Sequence, residues 1–558
     1  MAGARPLGGW FALAFSSLLV WQAPTQAQPS TPITGGSRVE QDSRPAPQPL
    51  RRDAIRIDAP RFAEQVPPGA GEVTFTLGLV VVSGYSRLPT EGLSALWSQY
   101  IGRRITLAQA FDIAAGVSAY YRNAGFVLSQ AVVPAQDLPT DTPAMLRIQV
   151  LEGFVDRVRF TGLPQAAGQP FMAEVLAERP LSLSTLERAL LLLSEQPGLR
   201  AQANLSAGVA PNATQVEVLV EQDRTAGSLT LHNRTAPSQG SLRIEATGEW
   251  RGLLGHFDRH VLRWSGSGDS RLNLLAYSAD APLGADGWRA QWSASSTSSK
   301  PTTTVTNFEN DSRNLALGVA HAAQRSRRAN LTLRASLNGY DNRSETLAGT
   351  VSEDHIRAVR LGLTGDLSDA FGGITLLDLE FGKGLTGLGA SQKGDPLLLG
   401  ADPAFRRTTA YLARLQGLGA GASLLLAHTQ QWSNSKLPSA EQLGLGGELF
   451  LRAYDPSEAI GEEGHASKVE LRWETGPVGT RWPVSLTLYG YYDQGAVERR
   501  QVTGPSTSTR LKAAGTGVRF SAPRGLRGYL ELAKPLGPPV ASQGNDDLRV
   551  FAGLGIDF

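Results

Sequence analysis

The sequence predicts a 16-stranded antiparallel transmembrane β-barrel preceded by two small α+β domains. Three observations lead there. From residue 227 onward, segments of about 10–14 residues alternate apolar and polar, separated by Gly, Asn, Asp, Ser or Pro. Between residues 73 and 223 two successive units each combine strands with one amphipathic helix. The chain also opens on a short apolar stretch of the kind that directs export.

Composition narrows the function classes. A chain of 558 residues exceeds one ordinary domain. Its 53 Lys+Arg balance 51 Asp+Glu, so nothing in bulk charge suits a nucleic-acid partner. Cysteine is absent, which excludes disulfides, Cys-ligated zinc and thiol catalysis. The seven His show no HExxH-like spacing, and no compact Asp, Glu or Ser constellation appears. No catalytic residue, metal site or cofactor is assigned, and no phosphate-binding Gly-x-x-x-x-Gly-Lys-Ser/Thr loop is present.

Residues 1–27 read as a signal peptide. Arg5 supplies the charge, Trp10–Phe15 and Leu18–Trp21 the apolar core, and Thr25-Gln26-Ala27 the cleavage site. The apolar run falls short of the ~20 residues of a spanning helix, and no later segment approaches that length, so later membrane spans must be β. Residues 28–71 form a Pro-rich linker, with eight prolines from Pro29 to Pro68 and Gly35-Gly36. It has room for a plug segment. A short helix is expected within Leu50–Gln65, limited by Pro60.

The first α+β unit is assigned to residues 72–153. A strand over Val73–Ser83 precedes a helix opened by the capping box Thr106-Leu107-Ala108-Gln109. Leu107, Phe111, Ala114, Ala115 and Tyr121 repeat at helical spacing, and Gly125 ends the helix. Strands are expected at Val127–Pro134 and Leu146–Leu151. The second unit, residues 154–224, repeats the plan: a strand over Val155–Gly162, a helix capped at Ser184-Thr185-Leu186-Glu187, then a hairpin of Ala201–Ala210 and Thr214–Glu221.

Tyr121, Gly125 and Phe126, then Pro134, Gln136 and Asp137, then Glu152 and Gly153 fall in order as "Y…GY", "P.QDL" and "EG". This run resembles the first polypeptide-transport-associated (POTRA) domain of two-partner secretion transporters. Phe126 stands where the family usually has Tyr.

Sixteen barrel strands are expected at 228–235, 240–251, 257–267, 270–280, 287–298, 311–323, 328–341, 354–367, 372–385, 405–418, 421–433, 465–475, 484–498, 509–521, 525–534 and 547–558. The even total suits a bacterial barrel with both ends on one side. In the last strand Leu548, Val550, Ala552, Leu554, Ile556 and Phe558 share one face. Phe558, an aromatic at the final position, resembles the membrane-assembly signal of outer-membrane proteins.

The longest gap late in the barrel, 434–464, is expected to be a structureless functional loop. It contains Gly446-Gly447-Glu448-Leu449-Phe450-Leu451-Arg452-Ala453-Tyr454. This resembles the "GG…VRGF/Y" lumenal loop of the Omp85 superfamily, whose Arg pairs with an Asp on the barrel wall. Parity locates a partner independently: in Val484–Gly495, Asp493 lies opposite the apolar phase of Val484, Leu486, Leu488 and Tyr492, and so faces the lumen. Asp493 and Gly495 also match the family's "F.D.G" motif. The family usually has Gly where this chain has Ala453; a positive φ there would strain alanine.

Taken together the mature chain resembles the haemolysin secretion/activation family. That resemblance implies an outer-membrane transporter with periplasmic POTRA domains. Its expected partners are a large secreted exoprotein bearing an N-terminal secretion domain, outer-membrane lipids, and the barrel-assembly machinery during biogenesis. Two alternatives stay open: an Omp85-type insertase of outer-membrane proteins, or a diffusion porin with a periplasmic module.

Overall fold

The period-two alternation of the second half of the chain resolves into a closed barrel of sixteen strands. The structure, a computed structural model, describes residues 38–40, 46–49, 57–58, 66–87, 92–301 and 307–558. The expected signal peptide, 1–27, and most of the linker lie outside the described residues. No helix among the described residues is long and apolar enough to cross a membrane.

Ahead of the barrel, β1 (Ile57–Asp58) pairs in parallel with a later strand; the rest of Leu50–Gln65, where a short helix is expected, lies outside the described residues. The first α+β unit contains β2 (Thr74–Ser83), β3 (Arg104–Thr106), α1 (Leu107–Asn123), β4 (Gln130–Val132) and β5 (Ala144–Leu151). Its sheet runs β3-β2-β5-β4. The capping box forms: the Gln109 N–H donates to Thr106 Oγ1 and the Thr106 N–H to Gln109 Oε1. The buried face of α1 is Ala110, Ile113, Ala114, Val117 and Tyr121, with Leu107 partly buried against the same core; of the expected stripe, Phe111 and Ala115 lie off this face. The helix is apolar over more than one face, and alanines let it sit close on the sheet. The strand expected over Val127–Pro134 shrinks to β4.

The second unit contains β6 (Phe154–Thr161), α2 (Leu183–Ser194), β7 (Leu199–Ala207) and β8 (Ala213–Gln222), in the sheet order β1-β7-β8-β6. The cap of α2 is Ser182, not Ser184: its side chain accepts from the Thr185 N–H at 3.2 Å. Glu187 instead reaches Arg327 of the barrel, at 3.3 Å.

The barrel strands are β9 (Thr225–His232), β10 (Arg243–Arg251), β11 (Arg259–Ser267), β12 (Leu272–Pro282), β13 (Trp288–Ser299), β14 (Glu309–Gln324), β15 (Ala329–Thr346), β16 (Gly349–Ser368), β17 (Gly373–Leu385), β18 (Arg406–Gly419) and β19 (Ala422–Ser433). After a loop holding the short hairpin β20 (Leu443–Leu445) and β21 (Ala459–Gly461) come β22 (Glu463–Val478), β23 (Val484–Arg499), β24 (Thr507–Ser521), β25 (Leu526–Pro535) and β26 (Arg549–Asp557). Every strand pairs antiparallel with its neighbour, and β26 closes the ring on β9. Alternation explains the sides: Leu471, Trp473, Leu530, Leu532, Val550 and Leu554 are exposed outward, while Glu470, Asp493 and Glu531 are buried inward.

The second α+β unit packs on the barrel turns. Phe171 and Phe257 meet edge to face with centroids 5.5 Å apart. Arg325 pairs with Glu195 at 2.7 Å, and Arg188 Nη1 donates to the Ala322 carbonyl at 3.2 Å. Those turns mark one end of the barrel; the 434–462 loop springs from the other and folds back inside. Residues 38–40 are helical and also lie in the lumen. Val39 packs on Leu272 and Leu274 of β12, and Glu40 accepts hydrogen bonds from Ser295 of β13 and Asn314 of β14.

Candidate functional site

Two glycines turn the loop inward. Gly446 (φ 114°) and Gly447 (φ 96°) occupy conformations that side chains rarely adopt, and a Cβ on Gly446 would collide with the Asp455 carbonyl. The tip is a tight turn in which the Tyr454 N–H donates to the Leu451 carbonyl at 2.9 Å. The positive φ of the tip belongs to Leu451, at 59°, and Ala453 is not among the positive-φ residues. The concern raised by alanine at that position is therefore removed. The left-handed cost, roughly 1–2 kcal/mol, falls on Leu451, whose side chain is fully buried in the loop's apolar cluster.

That turn delivers Arg452 to the wall. Its Nε donates to Asp493 Oδ2 at 3.0 Å and its Nη2 to Asp493 Oδ1 at 2.9 Å, a bidentate fork. Its own backbone N–H donates to the same carboxylate at 3.2 Å. Its Nη1 bonds Glu470 of β22, and its guanidinium lies 3.4 Å from the Tyr491 ring centroid. Arg452 and Asp493 are 3% and 0% exposed, so each side chain's charge depends on the other groups of this cluster for compensation. Glu470 is shared further, with Arg472 at 2.6 Å and Arg519 at 3.0 Å. Lys468 Nζ donates to the Leu449 carbonyl at 3.0 Å, a second tether on the same strand. Gly495 leaves the space that Leu445 of β20 fills.

The tip also touches the two strands that close the ring. Arg234, just past β9, donates to the Arg452 carbonyl at 2.8 Å. Arg549, the first residue of β26, donates to the Ala453 carbonyl at 2.8 Å and pairs with Asp455 at 2.5 Å. Arg234 also bonds Glu531 at 2.7 Å, which accepts from Tyr489 and Tyr491 at 2.7 and 2.9 Å. The Tyr454 hydroxyl donates to the Pro538 carbonyl at 3.0 Å, in the loop before β26. None of Glu470, Arg234, Glu531 or Arg549 was singled out from the sequence. Glu470 shares the polar phase of Lys468 and Arg472, so parity places it inward, but its pairing with a distant loop leaves no local signal.

The motif residues of the first α+β unit sit elsewhere. The Tyr121 hydroxyl donates to Glu152 at 3.1 Å, and Glu152 also accepts from the Ser86 N–H at 2.7 Å. Burial and the adjacent Glu152 carboxylate hold the Tyr121 phenol far above its ordinary range. Phe126 packs 6.1 Å from the Tyr121 ring. Gln136 completes the sheet edge: its amide donates to the Arg147 carbonyl and accepts from the Arg147 N–H, both at 2.8 Å, as a strand residue would. It also donates to the Pro134 carbonyl at 3.2 Å, and Asp137 is exposed. The carbonyls of Gly153 and Gly125 accept from Leu181 and Leu183 at 2.9 and 2.8 Å, joining the two units. Phe558, at the barrel closure, exchanges backbone hydrogen bonds with Gly227 at 2.7 and 2.9 Å, and its ring covers that glycine.

A closed barrel with a buried Arg-tipped loop in its lumen, carried on two α+β units, defines a class: outer-membrane proteins that handle polypeptide chains. The chain belongs to the haemolysin secretion/activation protein family ShlB/FhaC/HecB, whose profile matches residues 213–520, more than half of the sequence. The profile of the ShlB-type POTRA domain matches residues 75–153. The chain is 23% identical over 464 residues to the heme/hemopexin transporter protein HuxB of Haemophilus influenzae (strain 86-028NP), covering 80% of this chain and 81% of that one. It is 22% identical to the outer membrane transporter CdiB of Dickeya dadantii (strain 3937), covering 99% of this chain and 97% of that one. The fold matches solved CdiB structures. That from Escherichia coli gives a TM-score of 0.72 at 20% identity, covering 89% of this chain and 93% of that one. That from Acinetobacter baumannii gives 0.62 at 14%, covering 98% and 96%. The protein is thus an outer-membrane transporter of the two-partner secretion class, with its POTRA domains in the periplasm.

Proposed function

We propose that this chain exports one large exoprotein, bearing its own N-terminal secretion domain, through the barrel lumen, and that Arg452 is the releasable anchor of the loop filling that lumen. The POTRA domains take up the unfolded client in the periplasm by strand addition and charged surface contacts. The client passes along the polar wall once the loop withdraws, and folding outside makes passage one-way. The observation that carries this reading is the Arg452 site. A simple diffusion pore has no use for a loop pinned across its lumen by a bidentate ion pair, and a guanidinium–carboxylate fork is directional yet breakable.

Secretion of the partner by cells carrying Arg452→Ala tests the reading. Export is expected to fall while the barrel stays in the outer membrane at normal level. Secretion at the wild-type rate would reduce Arg452 to an ordinary loop residue. Removing residues 73–223 is expected to abolish secretion and leave an inserted barrel.

A further inference from the structure

The loop has a second fastening, on a different part of the wall from the Arg452 site. Its first limb makes a helical turn, Ser439–Glu441, in which Ala440 and Glu441 are fully buried. The Glu441 carboxylate receives Arg360 Nη2 of β16 at 2.7 Å and pairs with Arg407 Nε of β18 at 3.2 Å. The slot it enters is built by register. Arg360, Gly382 and Arg407 stand in one row across β16, β17 and β18. The middle member has no side chain, so the two arginines converge over it: a Cβ there would lie 3.7 Å from Arg407 Nε and 3.9 Å from the Arg360 stem. Glu380 of β17 completes the cluster, bonding Arg407 at 2.5 Å and lying 3.9 Å from Arg360. Two arginines and two glutamates thus close on one another, and Glu441 is the one member that the loop supplies. The turn is held again through its backbone: Gln431 Nε2 donates to the Glu441 carbonyl at 3.1 Å.

The next residue holds the lumenal helical segment. Arg38 Nη1 donates to the Gln442 carbonyl at 2.9 Å, and Nη2 to Gln442 Oε1 at 3.3 Å. Arg38 is 1% exposed and passes beside Gly444, where a Cβ would lie 3.2 Å from its Nη1. Gln442 is itself fixed by donating to Glu462 at 2.9 Å. The 38–40 segment therefore bridges two walls: β12–β14 on one side through Val39 and Glu40, and the Glu441–Gln442 turn on the other.

We propose that Glu441 is a positioning residue for this plug: it fixes the turn on Arg360 and Arg407 so that Gln442 can hold Arg38, and its release frees the helical segment from the lumen. The proposal rests on the lumen being the conduit, as argued above, but needs no client. Loss of the Glu441 charge leaves Arg360 and Arg407 facing each other with Glu380 alone between them. A buried cation deprived of its partner drives such a contact apart.

Ion conductance of the full chain in planar lipid bilayers, without any exoprotein, tests this. Glu441→Gln is expected to raise time-averaged conductance about tenfold, a modest population shift for a buried ion pair. Arg360→Gln, which leaves the loop sequence intact, is expected to do the same, and so is Arg38→Ala. The double variant Arg38→Ala/Glu441→Gln should conduct no more than Arg38→Ala, because both act through one element. Wild-type conductance in Glu441→Gln or Arg360→Gln overturns the proposal. So does a double variant whose increase is the product of the two single increases. If these results hold and secretion proves independent of Arg452, the coupling stands and the transport reading of the loop tip falls.

Discussion

Asp493→Asn isolates the charge at the centre of the lumenal site while keeping side-chain shape. Asp493 accepts three hydrogen bonds from Arg452, two from the guanidinium and one from the backbone. Asparagine keeps one acceptor oxygen and turns the other position into a donor facing Arg452. Breaking one partner of a fully buried pair costs about 3–5 kcal/mol, but here one feature reduces it. Glu470 remains bonded to Arg452. A loss of about 2–3 kcal/mol in loop docking follows, which is roughly a 30- to 150-fold rise in the undocked population. The chain contains no cysteine, so Ala453→Cys supplies a sole thiol, at a position fully buried in the docked loop. Its labelling rate by an impermeant maleimide on intact cells reports undocking when redocking outpaces reaction. The rate should rise by that factor in Asp493→Asn and further in Asp493→Asn/Glu470→Gln. An unchanged rate would mean that the fork contributes nothing to holding the loop, and the anchor argument would fail.

Three further outcomes follow from other contacts. Arg549→Ala removes the donor to the Ala453 carbonyl and the partner of buried Asp455, so docking should weaken by about 1–3 kcal/mol, read by the same thiol. Burial, reinforced by Asp455 and opposed by the Ala541 N–H and Arg549, pushes the Glu458 carboxyl up to about 7. The docked loop thus favours protonated Glu458: its contribution is full below the ordinary carboxyl range and lost as pH rises through about 7. Labelling of the thiol should quicken between pH 5.5 and 8, corrected for maleimide chemistry, and Glu458→Gln should flatten the excess. Gly153→Ala would drive a Cβ into the Leu128 carbonyl at the junction of the POTRA domains; limited proteolysis of isolated outer membranes should cut that variant faster between the two domains than wild type.

The barrel was legible because each strand faces two different solvents. Lipid demands an apolar residue at every second position and the lumen accepts polar ones, so a strand such as Lys468–Glu474 carries its orientation in its own sequence. Asp493 was legible for the same reason. The helices of the POTRA domains were less so. In α1 the run from Leu107 to Val117 is apolar on more than one face, and only the sheet decides which face is covered. At α2 two serines compete for the cap, and Ser182 wins because its neighbours Leu181 and Leu183 are already bonded to the Gly153 and Gly125 carbonyls.

What parity cannot reach is the interior of the lumen. Arg234 and Arg549 sit at strand ends, where alternation stops carrying information, and Glu441 lies in a loop without a period. Residues 38–40 stand in a Pro-rich stretch too short to show helical spacing. Yet these are the residues that join the loop tip, the ring-closing strands and the lumenal helix to one another. Each is a charged or amide side chain reaching far along the chain, and each bond is short and buried. The physical reason is common to all of them. A lumen lined with charge for passage must, when filled, satisfy that charge from the filling segments, because an uncompensated ion there is costly. The loop and the helical segment therefore carry charges complementary to the wall, and a client that displaced them, as proposed, would meet the same wall. Its extended segments are then expected to tolerate both signs of charge and to lack long apolar runs, a property readable in the sequence of the partner once it is identified.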